Sequence, residues 1–174
     1  MSRLLPALAL FAASVSAEAQ TPQIRVSVPG YAQPLSIDSL ASVIDIAAPK
    51  SATFAAAAAV LEELKIPVDT RDSNAGIVGN SRIIKLRSFG GAPMSRLLNC
   101  GSGMTGPNAD SWRIYITILA FVEGKGSDQS ILRVGFIAGA QDIQGASKDP
   151  VACGTTGVFE LMFADRVKKR LALT

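Results

Sequence analysis

The sequence contains no histidine and only two cysteines, and these shortages exclude several kinds of catalytic and metal site. Without histidine the chain cannot form Ser-His or Cys-His nucleophile pairs or a histidine-based zinc site. Two cysteines alone do not complete a structural zinc site. No serine is followed by a lysine three residues later, so the S-x-x-K arrangement of penicillin-binding enzymes is also missing. We therefore predict no catalytic residues and no metal-binding residues.

The acids left for enzymatic chemistry are few and separated along the chain. The candidate general acids or bases are Asp45, Asp69, Asp110 and Asp142. The sequence does not bring any two of them together, and an exposed loop carboxylate is the ordinary role of such a residue. A carboxylate-dependent hydrolase is therefore the least favoured hypothesis, because it requires two acids within about 10 Å of each other in a cleft.

The chain also lacks a strong charge imbalance, since 17 basic and 14 acidic residues give a net charge of +3. The basic residues are scattered, so nucleic acid is not an expected partner. One stretch, Gly101-Ser-Gly-Met-Thr-Gly106, has the G-x-G-x-x-G spacing of dinucleotide-binding loops. That chemistry needs a strand before the first glycine and a helix after the last, whereas Pro107 and Asn108 follow here. We predict a glycine-rich loop without a cofactor.

No apolar run reaches the length of about 20 residues that crosses a bilayer. At the N-terminus, Arg3 precedes a short apolar run, and small residues at positions 15 and 17 or 17 and 19 fit a signal-peptidase site. We predict a cleaved signal peptide over residues 1–19, with a retained membrane anchor as the alternative. No cysteine near the cut is placed to carry a lipid. We expect a periplasmic or secreted protein without an integral membrane segment after cleavage.

The mature chain of about 155 residues has the size of one domain. We expect residues 20–40 to form an N-terminal leader or an edge strand, and residues 41–174 to form a single α+β domain. In an exported chain, Cys100 and Cys153 are expected to form a disulfide, which would tie together the flanks of the two strongest predicted strands. Two buried free thiols are the alternative.

Those two strands carry the clearest pattern in the sequence. Residues 112–123 and 130–141 each alternate between an apolar face and a mixed face, and a polar, glycine-containing connection joins them, which predicts an antiparallel hairpin. The mixed face carries the candidate binding surface, which consists of Arg113, Tyr115, Thr117 and Phe121. Leu119, Ile131 and Ile137 make this face more apolar than usual, so we expect a partner or the N-terminal leader to cover part of it.

Two helices complete the predicted fold. Ser51 is the expected N-cap of the first, whose inward stripe consists of Phe54, Ala58, Leu61 and either Leu64 or Lys65. The second covers residues 156–171, with Val158, Leu161, Met162, Val167 and Leu171 inward and Glu160, Asp165, Arg166 and Lys169 outward. Shorter strand-like runs occur at residues 42–46 and 77–87. This order predicts a two-layer α+β fold, in which a mostly antiparallel sheet of four to five strands carries both helices on one face.

From Val43 to Leu171, the order strand, helix, four strands, helix is similar to the helix-grip arrangement, used among others by a lipoprotein subunit of the bacterial outer-membrane β-barrel assembly machinery. Four stretches, at residues 64–69 (LKIPVD), 76–80 (GIVGN), 94–101 (MSRLLNCG) and 153–160 (CGTTGVFE), resemble those of uncharacterised exported bacterial proteins. The resemblance implies a helix-grip-like fold in the cell envelope. It also implies a groove between helix and sheet, where helix-grip folds often open a pocket.

Three hypotheses about function follow from these observations. The leading hypothesis is a non-enzymatic exported protein that binds another envelope protein through the exposed sheet face or the irregular segment 89–110. The second is a carrier of a small apolar ligand in the groove between helix and sheet. The third is the carboxylate-dependent hydrolase.

Overall fold

The computed structural model describes residues 24–37, 40–144 and 149–172. The predicted signal peptide, residues 1–19, lies outside these residues. The described chain is an α+β protein whose two α-helices are α1 (Lys50–Glu63) and α2 (Val158–Leu171). Its strands are β1 (Arg25–Val26), β2 (Leu35–Ser36), β3 (Ser42–Ile46), β4 (Thr70–Asp72), β5 (Ile77–Leu86), β6 (Ser88–Phe89), β7 (Ala92–Pro93), β8 (Leu98–Asn99), β9 (Ser102–Gly103), β10 (Gly106–Pro107), β11 (Arg113–Gly124), β12 (Ser130–Gln141) and β13 (Val151–Thr155).

A mainly antiparallel sheet forms the centre of the fold. Strands β11 and β12 pair from Arg113 opposite Gln141 to Gly124 opposite Ser130, which is the hairpin that the alternating pattern predicts. Next to β11 lies β5, followed by β4. On its other side, β12 pairs with β3 at one end and with β13 at the other, and β13 pairs in turn with β8.

This sheet has seven strands, not the four to five predicted from the sequence. Two of the additional strands are very short, since β4 has three residues and β8 has two. Runs of this length do not show the period-two alternation that identifies a strand in a sequence, because that signal needs about four residues. Backbone pairing with a longer neighbour forms these strands instead.

Both helices pack on one face of the sheet, which we call the inner face. Alternate residues of β11 and β12 form a single buried cluster there with residues of α1 and α2, including Phe54, Leu61, Phe159 and Phe163. The rings of Phe136 on β12 and Phe159 on α2 stack with their centroids 4.5 Å apart. The apolar face predicted from the sequence is thus the face that binds the helices.

The start of α1 differs from the prediction. The helix begins at Lys50, and its N-cap is Pro49 in an extended conformation, without a side-chain capping bond, so the predicted Ser51 cap is wrong. Proline ends the preceding extended segment and needs no hydrogen-bond acceptor for a backbone amide, which suits a helix start. The predicted inward residues Phe54, Ala58 and Leu61 are buried.

The inward face of α2 differs from the prediction at its start, whereas Met162, Val167 and Leu171 pack on the core as predicted. Val158 and Leu161 are 40% and 68% exposed, whereas Phe159 and Phe163 are fully buried. The two phenylalanines bury more apolar surface than valine and leucine do, so they determine which side faces the sheet. Glu160, predicted to point outward, is also buried, and its Oε1 accepts a hydrogen bond of 2.8 Å from the hydroxyl of Thr155.

The segment between β5 and β11 is built from short elements. It contains the β6–β7 and β9–β10 hairpins, strand β8 and two 3-10 turns, at Met94–Arg96 and Asn108–Asp110. The predicted disulfide between Cys100 and Cys153 is confirmed, and it fastens this segment to β13 beside the pairing of β8 with β13. No helix in the described ranges combines the length and the apolar character needed to cross a bilayer.

Candidate functional site

The sheet face opposite the helices, which we call the outer face, is covered over part of its length by residues 24–37. In this segment β1 and β2 pair with each other, and we call it the N-terminal ribbon. Its residues Val26, Val28 and Ile37 form a second buried cluster with sheet residues that include Leu119 and Phe121. The other part of the outer face stays open.

Two glycines of β12 allow the ribbon to lie close to the sheet. A Cβ atom at Gly139 would lie 1.6 Å from the carbonyl oxygen of Pro29, and one at Gly135 would lie 2.4 Å from Ile37. Because real Cβ atoms do not approach other atoms this closely, only glycine fits at both positions with the ribbon in place. The hydroxyl of Tyr31 also donates a hydrogen bond of 3.0 Å to the backbone oxygen of Cys153, and burial raises the pKa of Tyr31 above 10.0.

The ribbon separates the four residues of the predicted binding surface. Phe121 is buried in the cluster beneath the ribbon. Thr117 is also buried, and its hydroxyl donates to the backbone oxygen of Ser81 at 3.0 Å. Tyr115 is half-buried and donates to the side chain of Gln141 at 2.8 Å, while Arg113 is exposed. Of the four, Arg113 and Tyr115 therefore lie on the open part of the outer face.

Next to this open part, β5 contains a β-bulge. The register of β5 with β11 shifts between Ile116 and Ile118, where residues 81 and 82 of β5 together oppose Thr117. Polar side chains hold the bulge. The carboxylate of Asp69 accepts hydrogen bonds from Ser81, at 3.1 Å from its amide and 3.0 Å from its hydroxyl. The side-chain oxygen of Asn80 accepts a hydrogen bond of 2.8 Å from the amide of Arg82. Bulges of this kind re-aim side chains and end strand pairing.

A cavity of about 210 Å³ opens where the bulge meets the ribbon. Residues 27–29 of the ribbon form one wall, and residues 81–84 of β5 with residues 115–117 of β11 form the other. We call it the outer cavity. Two residues of the predicted binding surface, Tyr115 and Thr117, line it.

Beyond the bulge, one edge of β5 has no partner strand among the described residues. Strand β4 pairs with β5 only from Ile77 to Gly79, so residues 82–86 form an open edge. A groove of about 190 Å³ lies beside it, between residues 65–67 and residues 82–85. We call it the edge groove. Arg82, Ile83 and Ile84 line both this groove and the outer cavity.

The open edge carries exposed apolar and basic side chains together. Ile84 and Leu86 are 59% and 50% exposed, and their partners across the strand pair are Tyr115 and Arg113. The side chain of Arg82 is 87% exposed. We call Arg82, Ile84, Leu86 and Arg113 the basic–apolar patch. Exposed apolar residues next to a formed cavity are typical of a binding surface.

The four candidate carboxylates each have separate local roles. Asp45 pairs with Lys125 at 3.0 Å, Asp110 accepts the amide of Ser95 at 2.8 Å, and Asp69 braces the bulge as described. Asp142 accepts the amide of Gln144 at 2.9 Å. Within the described ranges, no three His, Cys, Asp or Glu side chains group in a way that could hold a metal ion.

The glycine-rich stretch predicted as a loop forms the β9–β10 hairpin and leads into the 3-10 turn at Asn108–Asp110. The side-chain amide of Asn108 donates to the backbone oxygen of Cys100 at 3.1 Å, which holds the hairpin beside the disulfide. The geometry is that of a short connection between strands, so this stretch contributes nothing to the candidate site.

The patterns in the sequence do not identify Arg82, Ile84 and Leu86 as site residues. Alternation on β5 predicts which side chains share a face, but it does not show that one edge of the strand lacks a partner. The signal that could have found them is the series of basic residues Arg82, Lys85 and Arg87, because edge strands often carry such charges. Comparisons of the chain with protein families, curated proteins and solved structures find no match.

Proposed function

We propose that this chain is an exported, non-enzymatic protein that binds another envelope protein through the basic–apolar patch. The observation that carries the proposal is the juxtaposition of Ile84 and Leu86, both at least half exposed, with the outer cavity on a sheet face that the ribbon covers over part of its length. Exposure of two large apolar side chains is unfavourable unless they are covered in a complex. The helix-grip arrangement belongs to this proposal as the scaffold that presents the patch.

Export is the second part of the proposal. The disulfide between Cys100 and Cys153 supports it, because disulfides persist in oxidising compartments such as the periplasm. The test is the mass of the protein isolated from its producing cells. Loss of residues 1–19 and retention of the disulfide are the expected result, whereas a full-length protein with two free thiols would contradict export.

Position-specific cross-linking tests the binding surface. We would replace Ile84 or Leu86 by the photo-reactive amino acid p-benzoylphenylalanine in the producing cells and irradiate them. The matched control is the same replacement at Leu161, an apolar residue that is 68% exposed on α2. We expect one protein adduct from positions 84 and 86 and none from position 161. Equal adduct yields at all three positions, or no adduct at any of them, would rule out docking at the patch.

A matched pair of charge substitutions gives a second readout of the same surface. Ile84→Glu places a carboxylate in the patch, whereas Leu161→Glu makes the same change on α2. We expect Ile84→Glu to lower the adduct yield from position 86 by about tenfold, which corresponds to about 1.4 kcal/mol of binding free energy. Leu161→Glu should leave the yield unchanged.

A carrier of a small apolar ligand is the second candidate function. It is favoured by a cleft of about 220 Å³ between the end of α1, the start of α2 and the β6–β7 hairpin, lined by Leu64, Phe89, Leu97 and Met162 among others. This volume is below the range of about 300–1,000 Å³ typical of small-molecule pockets. Native mass spectrometry of freshly purified protein should show a bound mass if the chain is a carrier. Met162→Lys should then remove that mass, and Leu161→Lys should not.

A further inference from the structure

On the open edge of β5, a proline and polar side chains end the backbone pairing with β4. Strand β4 is the natural neighbour of residues 82–86, but its chain turns away before it reaches them. Pro67 lies at this departure and has no amide to donate, and its carbonyl oxygen accepts the side-chain amide of Asn80 at 2.6 Å. The amide of Ser81 is taken by the carboxylate of Asp69 instead of a backbone oxygen. Pairing on this side therefore stops at the bulge, although β5 continues to Leu86.

The space left by β4 is the edge groove. Its volume of about 190 Å³ lies between residues 65–67 on one side and residues 82–85 on the other, and Phe89 also lines it. A further strand needs about 4.8 Å between its backbone and that of its neighbour. An extended chain in this groove would continue the path that β4 abandons, and its side chains would alternate between the two sides of the sheet.

The charged residues that line the edge groove, Lys65, Arg82 and Lys85, are all basic. Arg82, Lys85 and Arg87 lie on or directly after the strand, and Lys65 lies on the opposite wall. Arg113 is exposed on the adjacent strand. No acidic residue of the described chain lines either the edge groove or the outer cavity. Asp69 at the bulge accepts bonds from the amide and hydroxyl of Ser81 and lies 3.9 Å from the guanidinium of Arg82, whose side chain nevertheless stays 87% exposed.

This charge pattern decides between the possible occupants. A second copy of the chain, paired edge to edge, would bring two sets of Arg82, Lys85 and Arg87 together, and like charges across a strand pair are destabilising. An acidic strand would instead form opposite-charge pairs at the same positions. Ile84, 59% exposed, offers an apolar contact between the cations.

We infer that the partner contributes an extended, acidic segment that also carries apolar residues and adds to the open edge of β5 as a further strand. This inference rests on the proposed function and names the partner chemistry at the same surface. Main-chain hydrogen bonds provide the affinity in this mode of recognition, and alternate side chains provide the specificity. On the outer side of the sheet an acid of this segment contacts Arg82 and an apolar residue contacts Ile84, while on the other side acids contact Lys85 and Lys65.

Peptide display on the purified mature protein, with its disulfide intact, tests the inference. The probes are two random libraries of peptides about eight residues long, one biased toward Glu and the other toward Lys, since about eight residues exceed a typical strand. We expect enrichment from the Glu-biased library alone. Enrichment of basic or neutral peptides, or no enrichment over beads without protein, would overturn the inference.

A charge-reversed pair of variants locates the binding. In Arg82→Glu/Lys85→Glu the selected acidic peptides should bind at least about tenfold more weakly, and Lys-biased peptides should now be enriched. The control Lys168→Glu/Lys169→Glu makes the same change on exposed positions of α2 and should bind as the wild type does. Equal loss in both variants would show a non-specific charge effect and would contradict a site at the edge. Circular dichroism confirms that both variants are folded.

The main-chain contribution is tested on the peptide, so that the fold of the protein is untouched. N-methylation of every second backbone amide of a selected peptide keeps its charges and side chains but removes donors that a strand must use. One of the two alternating methylation patterns should weaken binding by about tenfold or more, and the other should have a smaller effect. If neither pattern weakens binding, strand addition is wrong, while the cross-linking result at positions 84 and 86 still decides the proposed function separately.

Discussion

Tyr31 links the N-terminal ribbon to the sheet through a single phenol, and its ionisation should therefore affect stability. Burial raises its pKa above 10.0 in the folded protein, while the unfolded chain ionises near the ordinary value. As the pH rises above about 10, the unfolded state loses this proton first, so the free energy of unfolding decreases until the folded-state pKa is passed. Below about pH 10 this stabilisation is fully present. Denaturant unfolding between about pH 8 and 11 measures the effect.

The variant Tyr31→Phe isolates this contribution. It loses the hydrogen bond to Cys153, worth about 1 kcal/mol, and should therefore be less stable than the wild type at neutral pH. The difference should shrink above about pH 10, because the variant has no phenol to ionise. In Tyr115→Phe, which keeps Tyr31, the alkaline loss of stability should persist. A constant difference between the wild type and Tyr31→Phe at all pH values would contradict the prediction.

Lys65 adopts a conformation that favours glycine. Its φ is 54°, and it follows α1 as the left-handed residue of a Schellman motif, in which the amides of Lys65 and Ile66 donate to the carbonyl oxygens of Glu62 and Leu61. A non-glycine residue in this conformation costs about 1 kcal/mol. Lys65→Gly should therefore raise the free energy of unfolding by about 1 kcal/mol in urea denaturation. Glu62→Gly, in the last turn of the same helix, should lower it by about the same amount.

Individual side chains could be predicted where one pattern dominated the local sequence. Alternation placed Ile114, Ile118 and Leu132 in the core, and all three are buried. In α2, two overlapping apolar stripes compete, and the sequence does not show which one meets Phe136. The burial of Glu160 was unpredictable for the same reason, because it depends on the hydroxyl of Thr155, five residues earlier.

The two strands of the ribbon pair with each other, so close packing, and not strand pairing, holds the ribbon on the sheet. Its backbone approaches Gly139 so closely that Gly139→Ala should displace it and lower the free energy of unfolding by about 1–3 kcal/mol, the usual cost of overpacking. Limited proteolysis should then cut faster within residues 24–37. The matched control is Gly154→Ala on β13, where an added Cβ meets nothing within 4 Å and φ is not positive.

The control variant should change stability by less than about 0.5 kcal/mol and leave the cleavage rate unchanged. Equal protection of residues 24–37 in Gly139→Ala and in the wild type would mean that the ribbon tolerates the added methyl group. The close fit at Gly139 would then not determine the position of the ribbon.

The candidate site depends on elements whose neighbours are set by tertiary structure. The sequence identified β5 as a strand, and it predicted that part of the outer face would be covered. It could not show that β4 stops after three residues of pairing, because β4 is too short to have a pattern of its own. The open edge of β5 exists because β4 stops early. This part of the site therefore depends on how two strands pair in the folded protein, and no local sequence motif reveals it.

At the scale of the whole molecule, the disulfide should be a large single contribution to stability. It joins residues separated by 53 positions, and chain-entropy arguments give about 4 kcal/mol as an upper estimate for a loop of this length. The double variant Cys100→Ser/Cys153→Ser should therefore unfold at lower denaturant concentration, by up to this amount. Reduced wild-type protein should behave in the same way, and equal stability of all three forms would contradict the prediction.

Hydrogen exchange should show where the loss is concentrated. The short strand β8 and the β9–β10 hairpin depend on the bridge, since they pair with few other residues. Strands β11 and β12 pair over twelve residues each and should keep their protection. The fold class and the disulfide could be predicted from composition and alternation, because both follow from residue types. The number of strands could not, because backbone pairing alone forms the short ones.

The position of the ribbon also sets an order of events during synthesis. The ribosome releases Tyr31 early, but the oxygen it bonds belongs to Cys153, 122 residues later in the chain. Gly135 and Gly139, which receive the ribbon, emerge late as well. The side chains of Leu119 and Phe121 can therefore be covered only after Gly135, Gly139 and Cys153 have also been synthesised, so the ribbon packs late relative to its place in the sequence.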